Sequence, residues 1–199
     1  GFFGVFAWNV LIYWFFRYLE VERGFGPGQT MVTMLIAIAA LSLGYIVGGS
    51  LSDYAFERTP RGRAIVGGLG ALIAAILLWM TMSVPVGNVT LFTVLLALAG
   101  VALSTTAPNA MATVPDITLP EVRSSAQAVR KLVEDGGAAL APWLAGLIAV
   151  RASLHTAIIA VSVSTLLMCA LIFAIIAYYV PEDVEALREK MEARARALT

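Results

Sequence analysis

Three stretches of this chain contain no charged side chain over lengths that few folds can accommodate: residues 24–52, 64–115 and 152–181. The hydrocarbon core of a bilayer is about 30 Å thick, and a helix needs about 20 apolar residues to cross it. Uncharged runs of this length are typical of membrane spans rather than of helices buried in a soluble core. Because lipid offers no partners to backbone N–H and C=O groups, the spans must be helices.

Turn residues divide the longest uncharged stretch into two spans, since Pro85, Gly87 and Asn88 favour a break between helices. The whole chain carries only 13% charged residues, against about 25% in soluble domains. We therefore predict an all-α, polytopic membrane protein whose membrane domain occupies residues 1–180. Its six transmembrane helices are predicted at residues 1–19, 28–51, 63–85, 89–114, 119–150 and 153–180. Residues 181–199 alternate charge at helical spacing and predict a cytoplasmic tail helix.

The distribution of basic residues predicts which side of the membrane each connection faces. Ten of the 13 Lys and Arg residues lie near the connections after the second and fourth helices or in the tail: Arg58, Arg61, Arg63, Arg123, Arg130, Lys131, Arg188, Lys190, Arg194 and Arg196. The opposite side has Arg17, Arg23 and Arg151. The ten are expected on the cytoplasmic side of a plasma or inner membrane, where an even number of spans also places both chain ends.

The connection between the second and third helices concentrates charge in the sequence GYIVGGSLSDYAFERTPRGR, residues 44–63. Gly44 and Gly48 make a G-x-x-x-G spacing, which lets helix backbones approach closely in a membrane. Asp53 is predicted at the inner interface, where it can accept charge-assisted hydrogen bonds from arginines or from another helix's N-terminal amides. Such a contact can close the cytoplasmic side and break when that side opens.

This connection resembles the loop signature of the major facilitator superfamily, G-x-L-[AS]-D-[RK]-x-G-R-[RK]. The matching residues are Gly49, Leu51, Ser52 and Asp53. Tyr54 stands where the family has a basic residue, and the stretch before the next Arg-Gly-Arg is longer. In the family this loop is a conformational latch between the two halves of a transporter. The residues to which the resemblance assigns that role are Gly49, Asp53, Arg61 and Arg63; the alternative is that the arginines only fix the topology.

A second resemblance lies at the start of the fifth helix and within it. Members of the same family often begin their eleventh helix with Pro-Glu-x-Arg, followed by glycines around a proline. The corresponding residues are Pro120, Glu121, Arg123, Gly137, Pro142 and Gly146. The resemblance implies helices seven to twelve of a twelve-helix secondary transporter, with a first half as the competing register. The tail directly after the sixth helix favours the second half.

The resemblance also implies partners. One half cannot form a transport pathway alone, so we expect a small-molecule substrate, the lipid bilayer and the other six-helix half of the transporter. Because the sequence begins at Gly1 rather than at Met, we expect a fragment of a longer protein or a separate half. The substrate class stays open between an organic anion and a sugar-like solute, and so do the coupling ion and the choice among symport, antiport and uniport.

Charged residues inside a membrane span are candidates for function. Glu134 and Asp135 are the acids predicted within the fifth span, and Arg130 and Lys131 precede them by four residues on the same helix faces. An acid in the central cavity would bind a proton or a cationic substrate, whereas Arg130 would suit an anionic one. Neighbouring residues point about 100° apart, so we expect at most one acid to face the cavity. The alternative is a structural charge ladder near the inner surface.

In the family, the first, second, fourth and fifth helices of each half line the cavity. The polar and aromatic residues that the resemblance makes candidates there are Trp8, Asn9, Tyr13, Thr105, Asn109 and Gln127. Each of them could instead pack between helices.

Other functional classes find little support in the sequence. With one His and one Cys, no metal site and no cofactor are predicted. No nucleophile, phosphate-loop or zinc motif indicates an enzyme, and a net charge of zero gives no sign of nucleic-acid binding. The alternative to a transporter is a six-helix membrane module with a receptor or structural role.

Overall fold

The computed structural model describes residues 2–197, and none of these residues lies in a β-strand. The helices are α1 (Phe2–Val21), α2 (Pro27–Arg58), α3 (Gly62–Ser83), α4 (Val89–Ser104), α5 (Thr106–Ile117), α6 (Arg123–Arg151), α7 (Leu154–Ile158) and α8 (Ser164–Ala197). A 3-10 turn (Pro120–Val122) precedes α6, and a π-helical segment (Ile159–Val163) joins α7 to α8. Six helical units among these residues are long and apolar enough to cross a membrane. The predicted all-α, six-span architecture is confirmed.

Large apolar side chains cover much of the outside of the bundle. Ile46, Leu69 and Leu171, for example, are each more than half exposed. A continuous apolar surface of this kind is unfavourable in water, whereas the acyl chains of a bilayer solvate it.

Helix α2 continues past its predicted end at residue 51 and ends at Arg58. No residue from Ser52 to Arg58 breaks a helix, so the change from apolar to charged sequence does not coincide with the helix end. The stop comes at Thr59, which is extended (φ −153°, ψ 136°), because the ring of Pro60 disfavours helical conformation in the residue before it. Asp53 is therefore part of a regular helix rather than of a loop.

The fourth span consists of two helices, where the sequence pattern predicts one helix over residues 89–114. The break falls at Thr105, because Pro108 has no N–H and its ring crowds the carbonyl four residues earlier. The hydroxyls of Ser104, Thr105 and Thr106 each donate to the backbone oxygen three residues before, at 2.8–2.9 Å. These hydroxyls add hydrogen bonds to the carbonyls of the last turn of α4, directly before the break.

The last span and the tail form one continuous helix. Helix α8 passes through Pro181 and extends to Ala197, so the predicted tail helix continues the sixth span without a break. Residues 198 and 199 of the predicted tail lie outside the described residues.

Small residues allow α2 to approach the break in the fourth span closely. Gly44 and Gly48 are buried, and a Cβ atom on Gly48 would lie only 2.8 Å from the Cα of Thr105. A Cβ on Gly49, by contrast, would meet no atom within 4 Å. The G-x-x-x-G face of α2 therefore packs on the fourth span, and Gly49 lies beside that contact rather than in it.

The connections between spans gather at two ends of the bundle. We call them the Arg23 end, with residues 22–26, 84–88 and 152–153, and the Asp53 end, with residues 59–61, 118–122 and the tail.

Two adjacent residues of the first connection, Glu22 and Arg23, bind the second connection and the start of α7. Arg23 is buried, and its NH1 donates to the carbonyl of Val84 at 2.6 Å. The Glu22 carboxylate accepts from the backbone N–H groups of Leu154, at 2.6 Å, and of the residue after it, at 2.9 Å. These amides begin α7, where the helix dipole favours negative charge. The Arg23 end is thus cross-linked within this bundle.

Candidate functional site

A three-residue charge cluster lies at the Asp53 end. The NH1 of Arg63 is 3.2 Å from Oδ1 of Asp53, and its Nε is 3.0 Å from Oδ2 of Asp116. The side chains of Arg63 and Asp116 are only 18% and 20% exposed, whereas that of Asp53 is 67% exposed. We call these three residues the latch cluster.

The helix ends explain why these charges pair. Arg63 lies in the first turn of α3, and Asp116 in the last turn of α5. The helix dipole disfavours a cation at the first position and an anion at the second, so pairing the two neutralises both. Buried Gly62 lets α3 begin in contact with the backbone of Ala55 on α2. The Arg63 guanidinium also stacks 4.5 Å from the ring centre of Phe56.

The structure brings together only some of the residues of the predicted latch. Asp53 and Arg63 meet, whereas the side chain of Arg61 is exposed and has no ion pair with a described residue. Arg61 forms the N-cap position of α3, and its backbone N–H donates to Thr59 Oγ1 at 3.4 Å. Sequence reasoning missed Asp116. One signal was present, because Asp116 directly follows the uncharged run 64–115, as Asp53 follows 24–52.

Asn109 supports the latch cluster from inside the bundle. It is fully buried, accepts a hydrogen bond from Ser52 Oγ through Oδ1, and donates through Nδ2 to the Thr105 carbonyl at 2.7 Å. Ser52 precedes Asp53, so this bond joins α2 to α5 directly beside the ion pairs. Although the resemblance makes Asn109 a cavity candidate, its side chain is enclosed between helices.

A cavity of about 650 Å³ opens between α1, α2, the α4–α5 pair, α6 and α8. We call it the central cavity. Of the sequence candidates, Trp8, Arg130 and Glu134 line it, together with Lys131. Every span except the third contributes to its wall, and the charged residues all come from α6.

The charged wall of the central cavity is an ordered chain of hydrogen bonds. Gln127 donates through Nε2 to the Met111 carbonyl at 2.9 Å and accepts from Arg130 Nε at 2.7 Å. The NH1 of Arg130 then donates to Glu134 Oε1 at 2.5 Å. The side chains of Arg130 and Glu134 are 16% and 12% exposed. The arginine is thereby held in one orientation toward the cavity.

The two adjacent acids of α6 have different surroundings. Glu134 lines the central cavity, whereas Asp135 is exposed, pairs with exposed Lys131 and is absent from the cavity wall. Asn9 and Tyr13 also lie outside the cavity wall. The Asn9 side chain donates to the Val5 carbonyl on its own helix at 2.9 Å, and Tyr13 is largely exposed.

A comparison with protein families matches nearly the whole chain. The family model described as the Major Facilitator Superfamily covers residues 2–198. A search of curated proteins gives no match.

Proposed function

The chain belongs to the major facilitator superfamily, and on that premise we propose that it is one six-helix half of a secondary transporter that works by alternating access. Membership in the family and the six membrane-type helices make the chain part of a multi-pass membrane transporter. The observation that carries the finer proposal is the Arg130–Glu134 ion pair in the wall of the central cavity. Charges at membrane depth are costly and are retained where they bind substrates or ions.

In the proposed cycle, two six-helix halves rock about a site near the bilayer midplane. The Asp53 end faces the cytoplasm, as the distribution of basic residues predicts. The latch cluster holds α2, α3 and α5 together at that end. Asp53 is largely exposed, so its carboxylate is free to contact the other half when the cytoplasmic side is closed. Breaking that contact opens the cytoplasmic side.

Glu134 is the proposed proton site. A proton on Glu134 removes the negative partner of Arg130 and leaves the guanidinium to attract an anionic group of the substrate. Protonation and substrate binding would then favour each other, because linkage is reciprocal. A facilitator without proton coupling would use the same cavity with the ion pair as a fixed structural element.

The experiment that tests alternating access does not require the substrate. In the full-length protein with native cysteines replaced, Ser42→Cys places a thiol in the wall of the central cavity. We expect a membrane-impermeant maleimide to label it from either side of the membrane, because the cavity opens to each side in turn. Leu69→Cys is the control, since this exposed position on α3 faces away from the cavity wall and is expected to stay unlabelled.

Labelling of Ser42→Cys from one side only would contradict a transporter and favour the six-helix module with a receptor or structural role. Labelling from both sides, combined with gradient-driven uptake of an organic anion, a sugar or a cation into proteoliposomes, would support the proposal and identify the solute class.

A further inference from the structure

A second cavity of about 300 Å³ adjoins the central cavity. We call it the apolar pocket. The two cavities share Trp8, Leu41 and Leu103 in their walls. The apolar pocket is lined by aliphatic, aromatic and methionine side chains and by glycine, with no charged residue. The two cavities are therefore neighbours with chemically different walls.

The two cavities lie at different depths along the bundle. The apolar pocket extends from Trp8 to Phe15 and Phe16 on α1, toward the Arg23 end. Phe15 lies seven positions after Trp8 on the helix, which corresponds to about 10 Å. Arg130 and Glu134 lie in the other direction, toward the Asp53 end. A molecule that occupies both cavities must be long, with one charged end and one apolar end.

The hydroxyl groups of the central cavity already donate to acceptors inside the protein. The hydroxyls of Ser42, Ser104 and Thr106 donate to backbone oxygens of their own helices. The hydroxyl of Tyr45 donates to the sulfur of Met111 at 3.4 Å. A sugar needs many convergent donors and acceptors, and a hydroxyl buried without one is unfavourable. This wall therefore disfavours a sugar-like solute.

Arg130 is the charged group of the wall that suits an anion. The wall contains Arg130, Lys131 and Glu134; Glu134 pairs with Arg130, and Lys131 pairs with Asp135 outside the wall. Arg130 donates through Nε and NH1, but a guanidinium has five N–H donors. The remaining donors suit the oxygens of a carboxylate or a phosphate, which arginine binds in a planar, charge-assisted geometry.

We infer that the solute of this site is a single-chain amphiphile whose one anionic head binds at Arg130 and whose apolar chain enters the apolar pocket past Trp8. This inference rests on the proposed function for the identity of the site, and it adds the substrate class. The head could be a carboxylate, as in a fatty acid, or a phosphate monoester, and both place anionic oxygens on the same guanidinium.

Trp8 provides the test, because bromine quenches indole fluorescence on contact and Trp8 lines both cavities. The full-length protein in nanodiscs is titrated with four probes that share a bromine at the end of an undecyl chain. Their heads are a carboxylate, a phosphate, an uncharged alcohol and a trimethylammonium group. The Trp8 signal is the quenching in the wild type minus the quenching in Trp8→Phe. This subtraction removes the quenching of other tryptophans by probe dissolved in the lipid.

We expect saturable quenching by the carboxylate, the phosphate or both, and the stronger of the two identifies the head. Arg130→Gln should weaken anion binding about tenfold, which corresponds to the loss of one charge-assisted bond. Glu134→Gln should strengthen it, because the competing carboxylate is gone, and a merely structural role would not produce this opposite effect. Arg123→Gln is the matched control, since Arg123 is exposed on the same helix outside the cavity wall.

Two results would overturn the inference. Equal saturable binding of the alcohol or the trimethylammonium probe would show that the site does not select an anion. Quenching that rises without saturation for every probe would show partition into lipid alone. Neither result contradicts the proposed function, because binding is measured without a gradient. The proposed function would instead be contradicted if Ser42→Cys were not labelled from both sides.

Discussion

Arg63 at the start of α3 and Asp116 at the end of α5 form an ion pair with an Nε–Oδ2 distance of 3.0 Å. Both side chains are largely buried, while Asp53, the second partner of Arg63, is mostly exposed. The two acids therefore have different tasks. We propose that Asp116 stabilises the position of Arg63 within this half, and that Asp53 contacts the other half of the transporter.

We predict that Asp116→Asn and Asp53→Asn affect stability and transport differently. Asp116→Asn leaves a largely buried guanidinium with a weaker partner and should lower the free energy of unfolding by about 1–3 kcal/mol. Asp53→Asn should cost less than about 1 kcal/mol, because solvent screens an exposed pair, yet change the fraction of molecules closed at the Asp53 end. Unfolding in mixed micelles measures the first effect and Ser42→Cys labelling measures the second. Equal losses of stability would contradict this division.

We predict opposite effects at two adjacent glycines of α2. Gly48→Ala places a Cβ 2.8 Å from the backbone of Thr105, so the helices must separate at a cost of about 1–3 kcal/mol. Gly49→Ala meets no atom within 4 Å and should be neutral or stabilise α2 by up to about 1 kcal/mol, since Ala favours helix. Thermal unfolding of the two variants in one detergent compares them directly. If Gly49→Ala were stable but inactive, the glycine would be needed at the contact with the other half.

The spans could be predicted from the sequence because each depends on local composition alone. An uncharged run such as 24–52 must become a helix in lipid, whatever surrounds it. The contact at Gly44 and Gly48 was also visible, since a G-x-x-x-G spacing favours close approach to another helix. Its partner, the hydroxyl-rich break at Thr105, was not, because a G-x-x-x-G spacing does not identify the helix that packs against it.

The pairing within the candidate site depends on tertiary structure and could be predicted only in part. Asp53 and Arg63 are close in sequence, so their proximity follows from a short connection. Asp116 lies far along the chain, and its pairing requires knowing how α5 packs on α3. Asn109 shows the same limit, because the sequence alone cannot tell which face of its span is buried.

We predict that the buried guanidinium at the Arg23 end contributes to stability without a part in transport. Arg23→Met removes the guanidinium that lies 4.3 Å from the centre of the Phe92 ring and leaves the Val84 carbonyl without its donor, at a cost of about 1–3 kcal/mol. Arg17→Met is the matched control, since Arg17 is an exposed arginine near the same end, and should change stability by less than about 0.5 kcal/mol. Chemical unfolding measures the change in the free energy of unfolding for both variants. A similar decrease for the two would mean that Arg23 contributes through its positive charge rather than through the hydrogen bond to Val84.

We predict that substitutions of the two acids of α6 differ in their effect on the pH dependence of transport. Glu134 shares the wall of the central cavity with Arg130, whereas Asp135 pairs with Lys131 on an exposed face. Glu134→Gln mimics the protonated state and should make uptake insensitive to an imposed proton gradient. Asp135→Asn should retain the gradient response of the wild type, since an exposed i,i+4 pair contributes only about 0.3–0.5 kcal/mol.

The measurement is uptake into proteoliposomes after a pH jump, with the anionic amphiphile that binds best as the solute. The Glu134→Gln protein should still exchange this solute at equal pH on both sides, because the cavity and Arg130 remain. Loss of exchange as well as of the pH response would assign Glu134 a structural role. An unchanged pH response in both variants would place the coupling residue in the other half, with the Arg130–Glu134 pair serving to hold the arginine toward the substrate.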